Sequence, residues 1–199
     1  MLKQLMVAIF AVVLFVSPSL ALTVEGVDLP YTMSVGSELL LLNGAGVRAK
    51  KIAFVNKNVY VAGLYLKAKS SDAQKIIQAD EPMALRIQII SSLITSERFI
   101  EATKEGFQES TKGNTAPIQK EIDTFIKVFS DEIKKGDLFE IVYTPGIGIQ
   151  VFKNDSKTSP VAIKGLPIKT ALFGIWLGER TEKNLQILAK QLLGTETAK

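Results

Sequence analysis

The 199-residue chain carries 24 Lys plus Arg against 20 Asp plus Glu, a formal net charge of +4, and has neither histidine nor cysteine. Those two absences exclude a Ser-His-Asp triad, a cysteine nucleophile, His- or Cys-ligated zinc and thiol redox chemistry, so any catalysis must use Arg, Lys, Tyr, Ser, Thr or carboxylates. At 47% hydrophobic and 22% charged the composition is that of a globular chain with core enough for one domain, and the mixed charge gives no reason to expect nucleic acid.

Residues 1–21 begin with one positive charge at Lys3, continue through an uncharged apolar run over 5–16 and soften into Ser17-Pro18-Ser19-Leu20-Ala21. This is the pattern of a secretory signal with cleavage after Ala21. An apolar core of about a dozen residues is short of the ~20 needed to span a bilayer, so no transmembrane span is expected after cleavage. Without cysteine, an exported domain depends on its packed core alone.

An apolar run over 39–42 leads into Asn43-Gly44-Ala45-Gly46, where glycines permit a bend or a close backbone approach. The extended runs 47–55 and 59–66, with Asn56-Lys57-Asn58 between them, predict two antiparallel strands and a hairpin. Ser71-Asp72 predicts the cap of a short helix through Ala79, and Pro82 precedes a strand over 85–90. Thr95 predicts the cap of a helix with Phe99, Ala102, Thr103, Gly106 and Phe107 on one face.

From Pro117, apolar residues at Ile118, Ile122, Phe125, Ile126, Phe129 and Ile133 predict a long amphipathic helix ended by Gly136. Runs over 138–144 and 147–153 around Pro145-Gly146 predict a hairpin, and 161–163 a further addition to the sheet. Pro167 opens a helix to 177 with no polar face, expected to be buried on most sides. Thr181 predicts the cap of a last helix carrying Leu185, Leu188, Ala189, Leu192 and Leu193, ended by Gly194. With no internal repeat, one α+β domain over 22–199 is the economical organisation.

Arg48 stands out, because a guanidinium inside an apolar strand must be paired or face a cavity. The plain alternative is an edge arginine in solvent or bonded to carbonyls. Tyr60 or Tyr65 could stand beside it: a two-residue turn at Asn56-Lys57 pairs Arg48 with Tyr65, whereas a three-residue turn through Asn58 puts Tyr60 on the arginine's face. Asn58 tolerates the left-handed backbone that the second turn needs. Arg86, Glu97 and Arg98 are weaker candidates, and Phe173 and Trp176 read first as core. Gly44-Ala45-Gly46 lacks the rest of a dinucleotide fingerprint and no phosphate loop is present, so no cofactor and no metal are expected.

The string Leu42-Asn43-Gly44-Ala45-Gly46-Val47-Arg48, then Val59-Tyr60-Val61-Ala62-Gly63-Leu64-Tyr65-Leu66, resembles the chalcone isomerase family, as does Trp176-Leu177-Gly178-Glu179 before a terminal helix. The resemblance implies an open-faced β-sandwich, a large antiparallel sheet packed against helices with a cleft between them. In the plant enzymes that cleft closes a chalcone ring by adding a phenolate to an enone, and the arginine matched by Arg48 stabilises the enolate. The enzyme's threonine on the second strand falls on Tyr60, its helix tyrosine and asparagine fall near Arg98 and Glu105, and its late threonine falls near Ile175. Only the arginine is kept.

That pattern is similar to the plastid relatives that bind fatty acids, which keep the arginine and carry a tyrosine at the second position. The resemblance then implies a small hydrophobic carboxylate held by Arg48 with Tyr60, or with Tyr65 in the other register. Phe99, Phe107, Phe125, Phe173 and Trp176 would wall its chain. The expectation is an exported monomer, periplasmic in a Gram-negative cell, that binds without turnover. The alternatives are a cofactor-free enone isomerase using Arg48 with Tyr60 or Tyr65 as proton donor, and an envelope interaction module with no small ligand.

Overall fold

The structure, a computed structural model, describes residues 20–52, 54–158 and 162–198. The expected signal segment therefore lies, over residues 1–19, outside the described residues. An antiparallel hairpin of β1 (Ala21–Val24) and β2 (Val27–Pro30) comes first. It precedes a seven-stranded antiparallel sheet whose spatial order is its chain order: β3 (Thr32–Val35), β4 (Glu38–Ile52), β5 (Val55–Leu66), β6 (Met83–Ile89), β7 (Leu138–Thr144), β8 (Gly148–Lys153) and β9 (Ser156–Lys157). Helix α1 (Ala73–Gln78) links β5 to β6, and α2 (Ser96–Ser110) and α3 (Gln119–Lys127) link β6 to β7. Helices α4 (Leu166–Leu177) and α5 (Lys183–Leu192) follow the sheet.

Strand alternation builds two cores from one sheet. Along β5, Tyr60, Ala62, Leu64 and Leu66 pack toward the helices with Phe107, Phe125, Leu172 and Leu188. Their neighbours Val61 and Tyr65 pack on the other face with Leu40, Leu42 and the β1–β2 residues Val24, Val27 and Leu29. This is the α+β architecture, a large antiparallel sheet packed against helices, that the family resemblance implied.

The Asn-Gly-Ala-Gly string explains how the last helix meets the sheet. A Cβ on Gly44 would lie 2.2 Å from the Gln191 carbonyl oxygen, and one on Gly46 would lie 2.3 Å from Gln191 Oε1. Only bare backbone lets α5 approach β4 so closely. Asn43, bulged out of the ladder between Leu42 and Gly44, donates from Nδ2 to the Ser70 and Leu192 carbonyls at 2.9 and 2.8 Å. Gln191 Oε1 accepts from the Val47 N–H at 3.1 Å. The motif is thus a docking surface for the C-terminal end of α5, and it sets the helix's opposite end over Arg48.

Several expectations are corrected. The β4–β5 hairpin turns between the paired residues Ile52 and Val55, and Asn56, Lys57 and Asn58 lie inside β5. Polar residues are tolerated there because this part of the ribbon is exposed to solvent. The long helix from Pro117 is a 3-10 turn, Ala116–Ile118, followed by α3, which stops at Lys127. Beyond it the chain is tied to the start of α2: the Ser96 hydroxyl donates to the Asp131 carbonyl at 2.6 Å and accepts from the Ile133 N–H at 3.1 Å. These bonds pull Phe129 and Ile133 into the core without a helical path. Of the run 161–163, Val161 lies outside the described residues, and Ile163 makes a single bridge to Ile149. Strands β1 to β3 were not anticipated.

Helix α4 is buried on most sides, as its composition predicts, but it does contain a polar group. Lys169 is 0% exposed. Its Nζ donates to the carbonyls of Ile76, Ile77 and Ala79 at 2.9, 2.8 and 2.6 Å, satisfying the C-terminal end of α1. Asp72 and Thr95 cap α1 and α2 as expected, accepting from the Lys75 and Arg98 N–H groups. The N-cap of α5 is Glu182 rather than Thr181, and its side chain is engaged elsewhere.

Candidate functional site: an arginine-tyrosine cleft between sheet and helices

A cleft of about 400 Å³ opens where β4 and β5 pass under α2, the end of α4 and the start of α5. Buried side chains form its floor, among them Arg48, Tyr60, Phe99, Ile175 and Trp176, and exposed charged ones such as Lys50, Lys51, Arg98 and Glu105 surround its mouth. The lining as a whole mixes charged and apolar side chains; in its buried part Val59, Phe99, Ile175 and Trp176 surround the polar groups of Arg48 and Tyr60, the make-up usual for a small-molecule site.

Arg48 and Tyr60 are direct cross-strand partners. The pairing passes from Arg48–Tyr60 to Ala49–Asn58, so Val59 is an extra residue in β5 and both Val59 and Tyr60 reach the cleft. Neither register considered from the sequence applies. The early turn and this bulge together put Tyr60 beside the arginine.

Arg48 is only 8% exposed, yet its charge is paired. Nη1 and Nη2 each donate to one carboxylate oxygen of Glu182 at 2.7 Å, and Nη1 also donates to the Ala49 carbonyl. This is the parallel two-bond geometry that suits a guanidinium to carboxylates. Tyr60 Oη accepts from the Trp176 indole N–H at 3.0 Å. Among the described residues no acceptor takes the phenol's own proton. Burial pushes the Tyr60 phenol above its ordinary value, against the opposing pull of Arg48 and the indole bond. It is therefore a hydrogen-bond donor throughout the neutral range.

A second arginine was not found from the sequence. The Arg180 side chain is 4% exposed, with Nη2 2.9 Å from Glu109 Oε2 and Nη1 donating to the Gly106 carbonyl at 3.4 Å. Its buried Nε has no partner among the described residues. Glu182, Glu109 and Arg180 carry no periodic or motif signal; their only hint is that Arg180 and Glu182 follow the Trp176-Leu177-Gly178-Glu179 string.

Of the residues singled out from the sequence, the structure brings Arg48, Tyr60, Phe99 and Trp176 to the cleft. Arg98, Glu105 and Ile175, which stand near the enzyme's other functional positions, line it too. Tyr65 does not: it faces the opposite core and donates to the Pro30 carbonyl at 3.0 Å. Phe107 and Phe125 meet edge to face within the helix-side core, and Phe173 lies beneath Lys169; none of the three lines the cleft. Helical periodicity reports that a phenylalanine is buried, not that space is left in front of it. Arg86 pairs with its cross-strand neighbour Glu140 at 2.7 Å on the Tyr65 face. Among the described residues no group of three or more acidic side chains is placed to hold a metal ion, and no helix is long and apolar enough to cross a membrane.

A family model described as chalcone isomerase-like matches residues 21–194. Among solved structures, the fold is similar to that of a fatty-acid binding protein of Arabidopsis thaliana, with a TM-score of 0.67 and 18% identity over 85% of this chain and 93% of that one. A comparison with curated protein sequences finds no match. The glycine string that seats α5, the arginine that follows it and a family match over nearly the whole described chain lead to one conclusion: the protein belongs to the chalcone isomerase-like family.

Proposed function

We propose that the protein binds a small hydrophobic carboxylate, such as a fatty acid, in the sheet-helix cleft and releases it unchanged. The observation that carries this reading is the Arg48–Tyr60 pair. The guanidinium already holds one carboxylate in the two-bond mode, and the adjacent buried phenol has a proton to donate. A ligand carboxylate would take the place of Glu182, which is 44% exposed and can turn to solvent, and would gain the Tyr60 hydrogen bond besides. Its chain would lie against Phe99, Ile175 and Trp176. The fold shared with a fatty-acid binding protein supports the same ligand class.

The enone-isomerase reading keeps Arg48 as an enolate stabiliser. The lining at Arg98, Glu105 and Ile175 lacks the tyrosine, asparagine and threonine that the plant enzymes have there, which favours binding over turnover. A module with no small ligand is disfavoured by the cleft itself. The segment 1–21 supports export with it removed, to the periplasm in a Gram-negative cell, where the domain would act as a monomer.

Trp176 is the only tryptophan and stands in the cleft, so its emission reports occupancy. Titration with saturated fatty acids of increasing chain length should change that emission saturably, and Arg48→Ala should weaken binding about 10-fold to 100-fold, the worth of a charged hydrogen-bonded pair. Silence toward every chain length, or equal affinity in Arg48→Ala, would overturn the reading, and a screen for enone turnover would follow.

A further inference from the structure

The ribbon that carries Arg48 to the cleft runs on past the sheet. β6 pairs with β5 only as far as Tyr60, and β3 pairs with β4 only over residues 38–41. This part of the ribbon is a two-stranded extension in which residues 50, 51 and 54–58 are exposed. At its tip Phe54 is 95% exposed, with Val55 beside it at 55%.

One exposed apolar side chain is ordinary. Here it is accompanied by Lys50, Lys51 and Lys57, with no Asp or Glu between Arg48 and Val59. Among the described residues none of these three lysines is in an ion pair. Among the described residues the ribbon's side-chain hydrogen bonds to the body are the Asn58 amide donating to Glu25 and the Asn184 amide donating to Asn56, both on exposed groups. Lys50 and Lys51 also line the mouth of the cleft, so whatever the ribbon touches lies at the cleft's entrance.

We infer that this ribbon docks on an anionic lipid surface. Phe54 enters the boundary between headgroups and acyl chains, and the lysines meet the headgroup charges, the two attractions that hold amphipathic segments at bilayers. An acidic protein would meet the lysines too, but would need a matching pocket to bury Phe54, whereas a bilayer takes up an exposed aromatic wherever the charges bring it, so the combination favours lipid. Docking brings the cleft mouth to the bilayer, where a hydrophobic carboxylate partitions. That purpose rests on the binding reading above; the docking itself stands on the ribbon alone.

The absence of cysteine makes the test clean. The full chain, its N-terminus identified by intact mass, is labelled with a polarity-sensitive dye at Phe54→Cys or, as a control, at Ile147→Cys in the exposed β7–β8 turn. Each is mixed with phosphatidylcholine vesicles with and without phosphatidylglycerol. The expected result is a blue shift at position 54 with phosphatidylglycerol vesicles only, reversed by high salt and weakened about tenfold by Lys57→Glu. No shift at position 54, an equal shift at both positions, or a shift indifferent to phosphatidylglycerol overturns the proposal. Fatty-acid titration of Lys57→Glu in solution, read from Trp176, separates the two ideas. Vesicle docking without fatty-acid binding would sink the binding reading and leave the docking in place, and the reverse pattern would do the opposite.

Discussion

Arg48 and Glu182, 134 positions apart in the chain, meet through two parallel hydrogen bonds of 2.7 Å at the floor of the cleft. On the binding proposal Glu182 occupies the place of the ligand carboxylate and acts as an internal competitor for it. Glu182→Gln removes the competing charge while keeping the size, and ligand affinity should rise about fivefold, the modest figure suited to a half-exposed pair. Isothermal titration on the two proteins decides the matter. Unchanged affinity would mean that the ligand carboxylate is not held by Arg48.

Tyr60→Phe removes the phenol proposed to donate to the ligand, which is also the acceptor of the Trp176 indole N–H. Ligand affinity should fall about 2-fold to 10-fold, and an orphaned buried indole N–H should cost about 1–2 kcal/mol of stability. Denaturant midpoints read the second effect, and a shift of Trp176 emission in the ligand-free protein marks the loss of its partner. Tyr65→Phe, on the other face, should leave ligand affinity unchanged.

The two close glycines of β4 differ in what a methyl group would strike. At Gly46 it meets the Gln191 side chain, whose amide end can move at the expense of its bond to the Val47 N–H although its Cβ, also in the way, cannot; at Gly44 it meets only backbone, the Gln191 and Leu192 carbonyls first. Gly46→Ala should cost about 1–3 kcal/mol, recovered in part by Gln191→Ala, and Gly44→Ala should cost more and resist that rescue. Thermal melts of the single and double variants measure the order. Equal losses at both positions would contradict the packing described for α5.

Lys169 and the buried tyrosines act on stability in opposite directions at alkaline pH. Burial pushes Lys169 down to about 8, with Asp80 and Glu81 pulling it partly back, so above pH 8 the folded chain binds fewer protons than the unfolded one. Stability from this group therefore rises between about pH 8 and its unfolded value near 10.4. Burial pushes Tyr65 and Tyr143 up to about 12, so their contribution is lost as pH climbs from about 10 through 12. Urea midpoints should rise and then fall across this range. Lys169→Met should abolish the rise and, by leaving the Ile76, Ile77 and Ala79 carbonyls without their donor, cost about 3 kcal/mol at neutral pH.

Much of the fold was legible because local chemistry decides it. The run of β-forming residues over 59–66, the Thr95 cap and the Pro145-Gly146 turn act within a few residues, and each appears in the structure where the sequence puts it. The glycine string before Arg48 was legible as a close approach of backbone, although not as the seat of α5. Helix ends are not legible where distant contacts intervene, as when Ser96 holds the chain beyond Lys127 in a non-helical path.

The site itself was decided by the tertiary structure. Arg48 could be picked out because an unpaired charge in an apolar strand demands a reason. Its partner could not be, since the register of β4 on β5 depends on a turn and a bulge that the sequence does not announce, and the carboxylate comes from a loop near the other end of the chain. Periodicity likewise told which phenylalanines are buried, while only the packing of α2, α4 and α5 on the sheet decides that Phe99 borders empty space and Phe107, Phe125 and Phe173 do not. Burial follows from the pattern along one element; a cleft is what several elements together leave unfilled.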